Sequence, residues 1–163
     1  MAKVVVADTG PLIALAIVKL LPALPRMFTT IYVPDGVVRE ATHEVSKPGA
    51  REIRHALDNG WLIQQSVEIS DVYLDVMEFL DQGEAEALTL AKQLKAVALI
   101  DERQGRKVAA KQGISVTGTA AVLVLAKQSG EVALIRPLVD ALIQSGYRLS
   151  PSLVKEVLRM AGE

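Results

Sequence analysis

The chain has 163 residues, half of them hydrophobic but only 4% aromatic, with no cysteine and a formal net charge of −1. This length suits one domain, spanning 1–163, that buries its core without staples, and the missing cysteine excludes a disulfide framework, a thiolate nucleophile and sulfur-ligated zinc. The near-neutral balance excludes a broadly basic nucleic-acid surface, and the few aromatic rings argue against a base-stacking platform. The longest apolar stretch, Pro11 to Leu24, contains Lys19 and Pro22 and is too short to span a bilayer, while Asp8 interrupts any secretory signal. The expectation is a cytoplasmic protein with no membrane partner.

Val4-Val5-Val6-Ala7 is a short β-branched run that stops at Asp8-Thr9-Gly10-Pro11, which predicts a strand buried on both faces with a carboxylate at its end. A helix follows, with Pro11 in its first turn and Leu12, Ile13, Leu15, Ala16 and Leu20 as its apolar stripe, until Pro22 and Pro25 break the pattern. Phe28 to Val33 reads as a second strand closed by Pro34, and Asp35 to Glu44 as a helix that Asp35 caps, with Glu40 and Glu44 on one face. Ala50 to Leu57 predicts a short helix, and Trp61 to Ile63 a brief edge strand before polar Gln64 and Gln65.

Ser70 to Leu80 has helical spacing, and Glu84 to Ala91 is strongly helical with Glu84 and Glu86 in its first turn. Val97 to Ile100 is another apolar run that stops at Asp101-Glu102, repeating the opening order of strand, carboxylate, helix; that helix runs to about Lys111 and Gly113 ends it. Ile114 to Val116 is a last strand, 117–119 a turn, and three helices close the chain over 120–127, 134–144 and 152–160. Strands alternating with helices predict an α/β fold, a three-layer α/β/α sandwich around a mostly parallel sheet.

Four segments deliver carboxylates where such a sheet brings them together: Asp8, Glu40, the Glu84/Glu86 pair and the Asp101/Glu102 pair. Singly, each has a plainer reading. Asp8 and Asp101 suit helix caps, Glu84 stands three residues after Asp81 as in a capping box, and Glu40 suits a solvated helical charge. Caps do not explain why two strands end alike, and clustered oxygen ligands are what a hard divalent cation such as Mg²⁺ or Mn²⁺ requires. His43 and His55 do not make a zinc triad.

The runs Val-Ala-Asp-Thr-Gly-Pro-Leu-Ile, Val-Pro-Asp-Gly-Val-Val-Arg-Glu, Gly-Glu-Ala-Glu-Ala-Leu and Leu-Ile-Asp-Glu-Arg-Gln-Gly-Arg, in this order over nearly the whole chain, resemble the PIN-domain family. The closing Val-Thr-Gly-Thr-Ala-Ala-Val-Leu and Gly-Tyr-Arg-Leu-Ser resemble a prokaryotic PIN-like branch related to VapC-type toxins. The resemblance implies acids at Asp8, Glu40 and Glu84, with Asp101 as the last and Glu102 in reserve. Asp is common at the third position in toxin relatives, and Glu84 is a longer arm there. It further implies a Mg²⁺- or Mn²⁺-dependent endoribonuclease acting on single-stranded RNA, the toxin of a toxin–antitoxin pair, with an antitoxin protein and a homodimer as partners. Thr9, Arg106, Thr117 and Thr119 are the candidates for orienting a ligand or meeting a backbone phosphate. The alternative is a catalytically weak PIN-like module that binds protein or nucleic acid. A small upstream gene for a DNA-binding antitoxin favours the toxin.

Overall fold

A computed structural model describes residues 3–163. The chain begins with β1 (Val4–Ala7) and α1 (Thr9–Ile17), then a 3₁₀ turn at Leu21–Ala23 leads into α2 (Leu24–Met27). Next come β2 (Thr30–Pro34), α3 (Asp35–Thr42), α4 (Ala50–Asp58), β3 (Ile63–Gln65), α5 (Asp71–Met77) and α6 (Gln82–Leu94). The remainder is β4 (Val97–Leu99), α7 (Arg103–Lys111), β5 (Val116–Thr117), α8 (Thr119–Gln128), α9 (Arg136–Gln144) and α10 (Pro151–Met160).

Five parallel strands lie in the order β3-β2-β1-β4-β5. The chain builds outward from β1 through β2 to β3, then returns to the other side of β1 for β4. The crevice between the ends of β1 and β4 is therefore the topological switch point, where open α/β sheets bind ligands. Ala7 pairs with Leu99 in this register, and the Asp8 N–H donates to the Leu99 carbonyl at 3.0 Å. Both strands thus end at one level, which sets Asp8 beside the segment that carries Asp101.

Alternation along β1 divides the core. Val5 and Ala7 join the apolar cluster made with α1, α4, α8, α9 and α10, whereas Val6 joins the cluster made with α5, α6 and α7. Helices cover both faces of the sheet, so Val5, Val6 and Ala7 are all buried although they point to opposite faces, as the composition of the run predicts. Among the described residues no single helix is long and apolar enough to cross a membrane.

Several expectations need correction. α1 ends at Ile17 instead of running on towards Leu21, with Lys19 in the left-handed region at φ 60°. Pro22 and Pro25 do not simply break structure; each stands in the first turn of the short helical segment that follows, where no intrahelical N–H is needed. Leu20, Leu21 and Leu24 remain buried in this chain's own core. Asp35 does not cap α3: it is the first helical residue, and its carboxylate accepts from Gln64 at 2.8 Å and Ser66 at 2.7 Å. Because α3 ends at Thr42, Glu44 lies beyond it and shares no helical face with Glu40. The last strand is Val116–Thr117, later than expected, and Thr119 belongs to α8 and not to a turn.

Candidate active site

An open pocket of about 840 Å³ at the carboxyl edge of the sheet is lined by Asp8, Glu40, Glu84, Asp101 and Glu102, together with Asp81. Three connections converge there: the β1–α1 junction brings Asp8, the β4–α7 junction brings Asp101 and Glu102, and the start of α6 brings Asp81 and Glu84. Glu40 arrives from the middle of α3. Its Oε2 lies 3.0 Å from where a Cβ would stand at Gly83, so a side chain there would crowd the Glu40 carboxylate.

Each acid has a distinct environment. Asp8 occupies the N-cap position of α1 but makes no side-chain cap bond, and its Oδ1 is buried without a hydrogen-bond partner. A cap is thus not its task. Burial pushes the Asp8 carboxyl up to about 7; the Thr9 N–H opposes this, while the charges of Glu84, Asp81 and Glu40 add to it. Glu40 Oε2 accepts the Thr9 hydroxyl at 3.1 Å. Glu84 and Asp81 form the capping box foreseen as the plainer reading, with Asp81 Oδ1 accepting from Glu84 N at 2.8 Å and Glu84 Oε2 from Asp81 N at 3.2 Å. Glu84 nevertheless faces the pocket, and burial first, then the charge of Asp81, raise its carboxyl; the Asp81 N–H opposes them, and Glu102 and Glu40 add smaller upward pushes.

Asp101 does not cap α7, whose N-cap is Glu102. Its Oδ1 accepts the Thr119 N–H at 2.8 Å, and its Oδ2 accepts the Thr119 hydroxyl at 2.6 Å and the Tyr147 hydroxyl. Of the expected ligand-orienting residues, Thr9 lines the pocket, and Thr119 reaches it through Asp101. Arg106 and Thr117 do not line it. The Arg106 Nη1 donates instead to the Ile100 carbonyl at 3.1 Å, and Thr117 lies within β5 with its carbonyl accepting the Ile100 N–H. Reasoning from sequence missed Tyr147 and Arg148, which join Arg103 on the pocket wall. The only signal for the first two was the Gly-Tyr-Arg-Leu-Ser run.

Among the described residues no three carboxylate or imidazole side chains stand close enough together to enclose a metal ion. Glu40, Glu84 and Asp101 each turn an oxygen towards a nearby donor. Asp8 differs from these three: its Oδ1 is buried without a donor and its carboxyl is raised by burial, an oxygen that a cation would satisfy. In donor chemistry the set fits a hard divalent ion.

Comparison with known proteins bears on the family and the fold. A family model described as a PIN domain (DUF3368) matches residues 4–163, and the chain belongs to that family. PIN domains are typically metal-dependent nucleases. A solved domain of a functionally unknown protein from Methanocaldococcus jannaschii DSM 2661 shares the fold, with a TM-score of 0.50 and 20% identity over 72% of this chain and 91% of that one. No curated protein matches.

Proposed function

We propose that this PIN domain is an endoribonuclease that cleaves single-stranded RNA with Mg²⁺ or Mn²⁺, and that it serves as the toxin of a toxin–antitoxin pair. The observation that carries this reading is the buried, unpartnered Asp8 Oδ1 at the switch point of the sheet, among the other acids of one pocket. Asp8, Glu40, Glu84 and Asp101 are the residues that would hold the metal, with Glu102 at the margin. When bound, a divalent ion supplies an acidified water and charge neutralisation at the phosphate oxygens.

The chain's own residues do the rest. Thr9 orients Glu40 through its hydroxyl, and Thr119 orients Asp101. Arg103 and Arg148 on the same wall offset the negative field of the carboxylates, which otherwise repels the RNA backbone. Near-neutral overall charge then suffices, because the cations are local. A homodimer and an antitoxin complete the proposed assembly, and Leu134 and Ile143, both exposed, are apolar side chains available for contact.

The test is cleavage of single-stranded RNA by purified protein with Mn²⁺, against Asp8→Asn prepared identically. Parent activity that chelator abolishes and the variant lacks is expected. Equal cleavage by parent and variant removes the reading, and a parent that binds RNA or an antitoxin without cutting would favour the weak-nuclease alternative.

A further inference from the structure

Gly146-Tyr147-Arg148-Leu149-Ser150 joins α9 to α10, outside the sheet that carries the acids. Gly146 takes φ 90°, and the Tyr147 N–H donates to the Leu142 carbonyl at 2.9 Å, so the loop is clamped to the end of α9. This clamp turns Tyr147 back over the carboxyl edge. Its hydroxyl meets Asp101 Oδ2, lies 3.4 Å from the Thr119 Oγ1, and stands 3.9 Å from where a Cβ would sit at Gly10. The hydroxyl therefore stands between the start of α1 and Asp101, at the crevice between β1 and β4.

Asp101 is held from two directions. Thr119 engages both of its oxygens from α8, and Tyr147 engages Oδ2 from the α9–α10 loop, its hydroxyl 3.4 Å from that of Thr119. A carboxylate has about four acceptor sites, and three donors leave capacity for a further ligand while fixing the plane of the group. Tyr147 does not act on a reacting atom in this arrangement; it acts through Asp101.

We propose that Tyr147 is a positioning residue for Asp101, so that the α9–α10 loop completes the metal-holding site from outside the sheet. This rests on the nuclease reading. A merely structural hydroxyl that tethers the loop predicts something different: lower stability with unchanged metal binding.

The experiment uses the full chain as parent, Tyr147→Phe, Asp101→Asn and the double variant, with calorimetric titration by Mn²⁺ alone, melting of the apo proteins and RNA cleavage. The Phe variant keeps the ring and its packing. Its Mn²⁺ affinity is expected to fall about tenfold, as for other groups that orient metal ligands. Its cleavage should recover as Mn²⁺ is raised, and the double variant should bind no more weakly than Asp101→Asn, because both changes act through one carboxylate. In unaltered protein labelled with fluorotyrosine, Mg²⁺ should shift the Tyr147 resonance more than those of Tyr32 and Tyr73, a readout that survives a variant that fails to fold. Unchanged Mn²⁺ affinity in Tyr147→Phe, losses that multiply in the double variant, or an unmoved Tyr147 resonance overturns the proposal. A parent that binds Mn²⁺ and cleaves beside an unaltered Phe variant sinks this proposal alone; a parent that does neither sinks the nuclease reading and this proposal with it.

Discussion

The Glu86 Oε1 accepts the backbone N–H of Gly36 at 3.1 Å, so a carboxylate on α6 caps the helix that carries Glu40. Pro34, the N-cap residue of α3, has no side-chain acceptor, and Glu86 supplies one from 50 residues away. Glu86 is only 6% exposed, and a Cβ at Gly36 would stand 2.4 Å from its Oε2. Replacing Glu86 by Ala should cost about 1–3 kcal/mol, the range for a buried N–H left without its acceptor. Glu86→Gln keeps an acceptor and should recover most of it, as denaturant titration will show. Gly36→Ala should approach the loss of Glu86→Ala, because the new methyl displaces the cap.

Asp8 links the site to stability. Its carboxyl lies near 7 in the fold against an ordinary 3.8, so between those values the folded chain holds a proton the unfolded chain has released. Stability conferred by that proton falls as pH rises through this window and is level above it, a change on the order of a few kcal/mol. Apo Asp8→Asn should melt above the parent at about pH 8, and the difference should shrink towards about pH 4. Mn²⁺ at about a hundred times Kd should add roughly 2.7 kcal/mol to the parent and less to the variant. A variant that melts lower without metal and gains as much from Mn²⁺ refutes a shared site.

Gly118 makes room for Asp101. A Cβ there would stand 2.8 Å from Asp101 Oδ1 and 2.9 Å from Arg106 Nη1. Gly118→Ala should push the carboxylate off its Thr119 donors, lower stability by about 1–3 kcal/mol, and reduce cleavage by more than about tenfold. Melting and RNA cleavage on one preparation check both effects.

Glu163 does for α9 what Glu86 does for α3. Its carboxylate accepts from Ile135 N at 2.8 Å and Arg136 N at 3.1 Å, with Lys127 Nζ at 3.1 Å, and the Ile135 N–H above all holds the carboxyl below its ordinary 4.5. The stability it confers is present above that value and is lost as pH falls through its lower folded pKa. Glu163→Gln should melt below the parent at neutral pH and converge with it once the pH has fallen below the lowered folded value of the carboxyl. A difference that persists in acid rules out the charge as its cause.

Local order was largely legible in the residues. Short β-branched runs alternating with helical spacing located β1, β2 and β4 to within a residue or two, and the repeated ending of strand in carboxylate pointed to Asp8 and Asp101. Periodicity reports which face of a segment is buried, and that property belongs to a few neighbouring residues. Helix ends were harder to read, because Asp35 prefers Gln64 and Ser66 to its own backbone, and Pro22 and Pro25 start helical turns instead of ending them.

The side-chain partners belonged to the tertiary structure. Asp8 and Asp101 share one crevice because the chain crosses from β3 back to the far side of β1, a return no local pattern records. Arg106, well placed on its helix for a phosphate, is drawn to the Ile100 carbonyl because that acceptor lies within its reach in the fold. Glu86 reaches Gly36 and Tyr147 reaches Asp101 across 50 and 46 residues. By itself the sequence determined the alternating layers and the acids that end two of the strands, since burial periodicity and chain breaks are short-range. Which acids are capped, which are held and which is left without a donor was decided only when distant segments met, because a hydrogen bond depends on where its partner lies in space and not on its distance along the chain.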